Sequence, residues 1–380
     1  MSRYLIKLFP TGKFFFGGEM TFQVGDDERD SFNSQYASYI IKSEKFPQQT
    51  SLLGMLRFLL LRKSDYFDCQ HNKIKSECKD DVGKLIGKTS FMKGKTGGYG
   101  KINRIGPCFL MKNGKPICLL PKDFGSKEKG GIKRIVLNNK TSKYNDREIV
   151  ITEILRYPTE SEASEGKQEE NWTAKDGLKT LYWDGENYYE EEILFIKDQR
   201  IGINRDIDTG KTQDNALFKQ ISYRLAEGCC FAFYADIDMD VKEYNGEIVS
   251  LGADSSQFKI EITDKDIPQV KLPEDFQPEL EGEIGRVVLE SPAYISDDTL
   301  KKACFSITGT IPFKFMETTI ETDDYSRLGK KIFHSKRYEL YQTGSVFYFL
   351  TEKEMKDFIS AIEGQRDFYD IGYNHIMNIK

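Results

Sequence analysis

Along this chain the apolar positions fall mostly into short runs bounded by Gly, Pro and polar residues, a pattern that predicts more strand than helix. Residues 3–9, Arg-Tyr-Leu-Ile-Lys-Leu-Phe, read as a first strand, ended by Pro10, Thr11 and Gly12. Phe14, Phe15 and Phe16 follow and stop at Gly17-Gly18. Next comes a longer apolar run, 52–61, preceded by Pro47, Thr50 and Ser51. Pro47 disfavours helix immediately before it, and Thr50 or Ser51 can cap a helix that starts there. Arg62 and Lys63 stand at the far end, where cations complement the helix dipole. A helix apolar on nearly every side is expected to be buried. Strand-like runs recur at 108–112, 116–120 and 133–137.

The second half restarts the strand pattern. Residues 193–196 lead towards a loop at Arg200, and 216–225 with 229–237 predict a hairpin turning at 226–228. Residues 287–289 and 305–307 read as further strands, and 345–350 is almost wholly apolar. The clearest helix follows. Thr351 and Glu354 make a capping box, Met355, Phe358, Ile359 and Ile362 share one helical face, and Gly364 suits the C-terminal cap. Two acidic, polar stretches interrupt the pattern. Residues 158–171 read as an exposed insertion, and 273–283, with two prolines, as a surface connection. Each half therefore pairs strands with a buried helix, which predicts an α+β fold of two units, 1–185 and 186–380.

Composition changes this picture little. The 380 residues suit roughly two to three domains. A formal charge of −5, from 55 basic and 60 acidic residues, is not that of a free-standing nucleic-acid binder. Local fields decide phosphate binding, however, and the charges here are segregated. Seven cysteines, an odd number, argue against a complete disulfide framework. No apolar run reaches the ~18 residues of a membrane span, and residues 1–7 lack a signal-like apolar core. The cytoplasm is the expected compartment, with no membrane partner.

Five candidate chemistries stand out. Cys69, His71 and Cys78 are possible zinc ligands, but their spacing matches no standard finger. A fourth ligand would have to come from Cys108, Cys118 or elsewhere, so no metal and no cofactor is assigned. Asp236, Asp238 and Asp240 alternate at a strand end, as Mg²⁺ ligands or, more simply, as solvated residues. The three histidines, His71, His334 and His375, sit in no nucleophile or acid–base motif. The loop 93–104 holds four glycines, four basic residues and no acid, yet lacks the order of a P-loop. It fits a mobile solvated loop as well as a phosphate contact.

The remaining chemistry is the most informative. Residues 50–57 place Thr50, Ser51, Gly54 and Arg57 at a helix start, where backbone N–H groups favour anions. Residues 200–218 place Arg200, Asn204, Arg205, Thr209 and Lys211 on a strand and the loop it enters. Such donors suit sugar and phosphate contacts, which position a strand without reading its bases. Lys93 and Lys95 of the basic loop join this candidate set.

These segments, in order, resemble the third subunit of the Cmr-type (type III-B) CRISPR effector complex, within the RAMP superfamily. Phe14-Phe15-Phe16-Gly17-Gly18 is similar to its aromatic-then-glycine segment, and Thr50-Ser51-Leu52-Leu53-Gly54-Met55-Leu56-Arg57 to its first helix. The segment from Arg200-Ile201-Gly202-Ile203-Asn204-Arg205 to Ala216-Leu217-Phe218 resembles its central signature. Leu251-Gly252-Ala253-Asp254, Ser291-Pro292-Ala293 and Gly344-Ser345-Val346-Phe347 resemble its later segments. Ala253 replaces a second glycine, Gly17 a charged residue, and Asn374 a glycine of the C-terminal ending. The resemblance implies two packed ferredoxin-like (RRM-like) domains with loop insertions. It also implies a non-catalytic subunit that holds the 5′ tag of the crRNA. Its implied partners are the large polymerase/cyclase subunit and the adjacent backbone RAMP subunit. Two rival expectations remain. One is a RAMP endoribonuclease using His375 and Tyr373 on precursor CRISPR RNA, and the other is a scaffold that touches only protein.

Overall fold

The computed structural model describes residues 2–17, 20–23, 38–127, 131–134, 138–144, 147–153, 180–205, 212–266, 285–318, 320 and 333–377. Its architecture is mixed α/β with several antiparallel sheets. The strand Cys229–Ile237 lies at the middle of the largest sheet, which has nine strands. Its sequence, CCFAFYADI, is apolar on both faces, which only a strand covered above and below can accommodate. Ser2–Pro10 pairs along one side of it, with Ile6 opposite Phe233. Phe109–Lys112 and Ile102–Ile105 pair along the other. Gln257–Thr263 and Ile248–Ser250 extend the sheet beyond Ser2–Pro10.

The helix Gln49–Arg62 shares one core with this sheet, its Leu52, Leu56, Leu59 and Leu60 clustering with Ile6, Leu8, Phe231 and Phe233. Burial of that many large side chains, each contributing roughly 1.5–3 kcal/mol, fixes the helix in place. Its exposed residues, Ser51, Gly54, Phe58 and Arg62, form a single stripe. A smaller sheet runs in the order Phe305–Ile307, Val346–Phe349, Gly285–Leu289, Ile376–Met377. The final helix, Glu352–Glu363, packs Phe358 and Ile362 on Val287, Leu289, Phe347 and Phe349. The Thr351 half of its expected capping box forms, Thr351 Oγ1 accepting from the Glu354 N–H at 3.2 Å, while the Thr351 hydroxyl donates to Glu354 Oε2 at 2.8 Å.

Three expectations are corrected. The strand Thr212–Leu225 does not pair with Cys229–Ile237: it joins Phe195–Arg205 and Ser38–Lys42 in a separate sheet. Residues 226–228 carry the chain from one sheet to the other, because Cys229–Ile237 needs both flanks for the large sheet. Residues 193–194 belong to a helical turn, Glu191–Leu194, and the strand begins at Phe195. The first helix begins at Gln49, with Gln48 as a cap that uses no side chain, so neither Thr50 nor Ser51 caps it. Strands from both sides of residue 185 are neighbours in the large sheet, so a division at 185/186 runs through it. Residues 158–171 and 273–283 lie outside the described residues.

One buried ion pair ties the 120s to the smaller sheet. Arg286 grips Asp123 through Nε at 2.7 Å and Nη2 at 2.5 Å, and the Tyr348 hydroxyl donates to Asp123 Oδ2 at 2.6 Å. Both charged side chains are fully enclosed, at 1% and 0% exposure. Removing one partner strands the other charge in a medium that cannot solvate it. Asp123→Ala is therefore expected to cost about 3–5 kcal/mol in urea unfolding. The double replacement Asp123→Leu with Arg286→Met should cost less, and an equal or larger loss would contradict this account.

Candidate nucleic-acid interface

The start of the first helix is already occupied. The Gln49 N–H donates to the Tyr373 hydroxyl at 3.1 Å, and the Gln49 side-chain amide donates to the Gly372 carbonyl at 3.3 Å. The Ser51 and Leu52 N–H groups turn back to the Gln48 carbonyl. The expected free anion seat is thus corrected, since a phenol takes the place of a phosphate. Burial pushes the Tyr373 pKa well up, so this partner stays neutral. Gly372 sits at φ +90, and a Cβ there would lie 2.5 Å from the Gly106 carbonyl oxygen. What remains outward is the half-buried Thr50 side chain, the exposed Ser51 side chain and bare backbone at Gly54. No atom lies within 4 Å of a Cβ built on Gly54, so close packing does not require this glycine.

Arg57 also departs from expectation. It points inward, donating from Nε to the Ile86 carbonyl at 2.7 Å and from Nη2 to the Gly87 carbonyl at 3.3 Å. These carbonyls close the helix Lys79–Ile86, whose C-terminal end favours a cation. Its role in the structure is to join two helices.

The basic loop is pinned at both ends. Lys93 Nζ lies over the Tyr294 ring at 3.7 Å and the Tyr338 ring at 4.6 Å, a cation–π arrangement. The Gly94 N–H donates to Asp367 Oδ2 at 2.6 Å. Tyr99 is buried, and Gly100, at φ +65, fits where a Cβ would strike the Leu85 backbone at 2.4 Å. Between these anchors Lys95, Thr96, Gly97 and Gly98 are exposed. The loop gives way to strand at Ile102–Ile105. A backbone held in this way presents its donors without a further ordering cost.

Arg200 is exposed on the edge strand Phe195–Arg205, 3.9 Å from Asp198, which Arg224 also binds at 2.8 Å. Asn204 and Arg205 end this strand, while Thr209 and Lys211 lie outside the described residues. The C-terminal ending explains one departure from the family pattern. Asn374 holds φ +60, which Asn tolerates better than most residues. Its Oδ1 accepts from the Tyr294 N–H at 2.9 Å and its Nδ2 donates to the Ile362 carbonyl at 3.0 Å. The side chain thus adds bonds that glycine could not make. His375 is buried, its ring stacked on Tyr369 at 4.0 Å, with Nε2 3.0 Å from the Tyr369 carbonyl.

Two further juxtapositions escaped the sequence. The segment at Phe15 meets the loop at Gly252: the Ala253 N–H donates to the Phe15 carbonyl at 2.8 Å, and the Phe15 N–H to Ser256 Oγ at 2.9 Å. Only the order of motifs hinted at this contact. Arg104 and Arg366 both lie over Tyr369; Arg366 stands three residues before it on the same helical turn, but no spacing announces Arg104. Among the described residues no group of three His, Cys, Asp or Glu side chains is placed to hold a metal. His71 Nδ1 instead lies 2.7 Å from Asp68, with Cys69 and Cys78 free. No helix among the described residues is long and apolar enough to cross a membrane.

Residues 6–380 match the family model described as CRISPR-associated protein (Cas_Cmr3). The chain belongs to this CRISPR-associated family. More particularly, it is a Cmr-type subunit, part of a type III-B CRISPR effector complex. Among solved structures, it is similar to a chain of the type III-B Cmr-beta complex bound to cognate target RNA and AMPPnP. Identity is 16%, coverage is 100% of this chain and 97% of that one, and the TM-score is 0.46. A chain of the type III-B Cmr-beta complex bound to cognate target RNA gives 17% identity, the same coverage and a TM-score of 0.45. A chain of the Csm3–Csm4 subcomplex of the type III-A interference complex gives 14% identity, 90% and 92% coverage and a TM-score of 0.32. No curated protein matches the sequence.

His375 makes folding pH-dependent. Burial lowers its pKa from 6.5 to about 4, so between these values the unfolded chain holds the extra proton. The stability it contributes is complete above pH 6.5 and is lost as pH falls towards 4, by about 3 kcal/mol in all. His375→Gln should flatten that part of the profile. Urea unfolding at pH 7 and pH 4.5 checks it, and parallel profiles for the two proteins would contradict the assignment.

Proposed function

We propose that this chain is the subunit that holds the 5′ tag of the crRNA at one end of the complex and catalyses no reaction. In this reading it docks to the large polymerase/cyclase subunit and to the adjacent backbone RAMP subunit, and its two units are ferredoxin-like (RRM-like). One observation supports it most. The segment 366–375 bonds to both the first helix, through Tyr373 and Gln49, and the basic loop, through Asp367 and Gly94. Two stretches, one with the exposed Ser51 and the other with the exposed Lys95, are thereby anchored to a single turn. Contacts of this kind, from loops and helix ends rather than from a sheet face, suit a single-stranded guide.

The contacts proposed are Thr50, Ser51, Gly54, Lys95 and Arg200, continued by Asn204, Arg205, Thr209 and Lys211. Arg57 and Lys93 act in this reading as supports. The endoribonuclease alternative has less in its favour, because Tyr373 is 2% exposed and His375 8% exposed. Incubating the chain with repeat RNA in EDTA separates the two readings, since efficient cleavage would favour the enzyme.

In the assembled complex, Lys95→Glu and Arg200→Glu should each weaken guide retention several-fold without lowering the melting temperature. Arg57→Ala should instead lower the melting temperature, by an amount equivalent to about 1–3 kcal/mol, as two buried carbonyls lose their donor. If no guide nucleotide crosslinks to this chain in the assembled complex, the RNA-binding reading fails and the scaffold reading replaces it.

A further inference from the structure

Arg104, Tyr369, Arg366 and His375 form a stack that neither the motifs nor the family description assigns. The Arg104 guanidinium carbon lies 4.6 Å from the centre of the Tyr369 ring, and that of Arg366 lies 4.7 Å away. The His375 ring stacks on Tyr369 with planes 9° apart. Four segments converge here: the strand Ile102–Ile105, the last turn of the helix Glu352–Glu363, the turn Arg366–Tyr369 and the ending at His375. The Ile105 N–H donates to the Asp370 carbonyl at 2.8 Å and locks the strand to the turn.

The two arginines are not equivalent. Arg366 is hydrogen-bonded to Asp370, so its charge is offset locally. Arg104 makes no ion pair among the described residues. Asp236 stands opposite it in the strand register, and Glu363 and Asp370 lie near enough to feel its charge. Burial raises the pKa of both carboxyls while the two guanidiniums pull it down. Arg104 is thus a half-exposed cation whose long side chain is already laid on a ring. The entropy that a free surface arginine loses on binding has largely been lost in folding.

We infer that Arg104, seated on Tyr369, is a phosphodiester contact for the RNA this subunit holds. The inference rests on the reading above that the chain binds guide RNA. It adds a site on the turn 366–369, beside the loop anchored by Asp367. Glu363 is the rival for this cation, and it keeps the site from binding free anions strongly. A phosphate that arrives as part of a polymer, held by other contacts, overcomes that competition.

The test is a salt titration of the full-length chain with fluorescently labelled guide RNA. Arg104→Ala should lower affinity several-fold at low salt and reduce the slope of log K against log salt by about 0.7, one contact on a single strand. Tyr369→Ala should lower affinity although Arg104 remains, and Glu363→Gln should raise it. Arg104→Lys, which keeps the charge but not the planar stacking, should fall between wild type and Ala. Orthophosphate or a mononucleotide at millimolar concentration should not displace the guide. Wild-type affinity and slope in a folded Arg104→Ala chain would overturn the inference, as would unchanged RNA binding with loss of a protein subunit from the assembly. If the wild-type chain alone binds no guide RNA, the same variants are compared in the assembled complex, where absence of any guide crosslink to the wild-type chain fails the broader reading instead.

Discussion

The hydroxyl of Tyr373 against the first N–H of the helix Gln49–Arg62 is the contact on which the candidate surface depends. A helix start leaves N–H groups that must find acceptors. Here the acceptor comes from more than 320 residues further along the chain, since the separation is 324. The same turn supplies Asp367 to the basic loop and the Asp370 carbonyl to the strand carrying Arg104. One short segment therefore sets the positions of helix, loop and strand together. The close approach of Gly372 to Gly106 permits it, because a side chain at Gly372 would hold the backbones apart.

Net charge says little about such a surface. The chain is acidic overall at −5, yet its cations are sorted into different duties. Arg286 and Arg57 are buried and bonded to protein acceptors. Lys93 rests on tyrosine rings, and Lys95 and Arg200 face solvent. Exposure separates these roles, and residue type alone does not. An arginine at a motif position can be conspicuous in sequence because it secures the scaffold.

Much of the fold was legible because it follows local rules. The helix Glu352–Glu363 announces itself through its capping box and a regular apolar face, and Cys229–Ile237 through a run of apolar residues too short for a helix. Pairing was not legible. Thr212–Leu225 and Cys229–Ile237 look like a hairpin because a short turn joins two strands, but the large sheet competes for the second strand and wins by burying both its faces. At the candidate site, Ser51, Lys95 and Arg200 are exposed. Arg57 is not, because the carbonyls that hold it belong to Ile86 and Gly87, in a helix whose approach no local pattern encodes. Arg104, counted only among the four basic residues of the loop 93–104, and Arg366 were not singled out for the same reason: Tyr369 brings them together only after the last turn has docked.

That docking has a consequence for biosynthesis. A ribosome delivers the chain from its amino end, so the first helix and the basic loop emerge long before residues 366–375. Until then the Gln49 N–H lacks its phenol, Gly94 lacks its carboxylate and Arg104 lacks its ring. A nascent chain can pair early strands, but the candidate surface is not assembled before residues 366–375 have emerged. In the reading proposed above, fragments cut short before Tyr369 would not compete with the whole molecule for a guide.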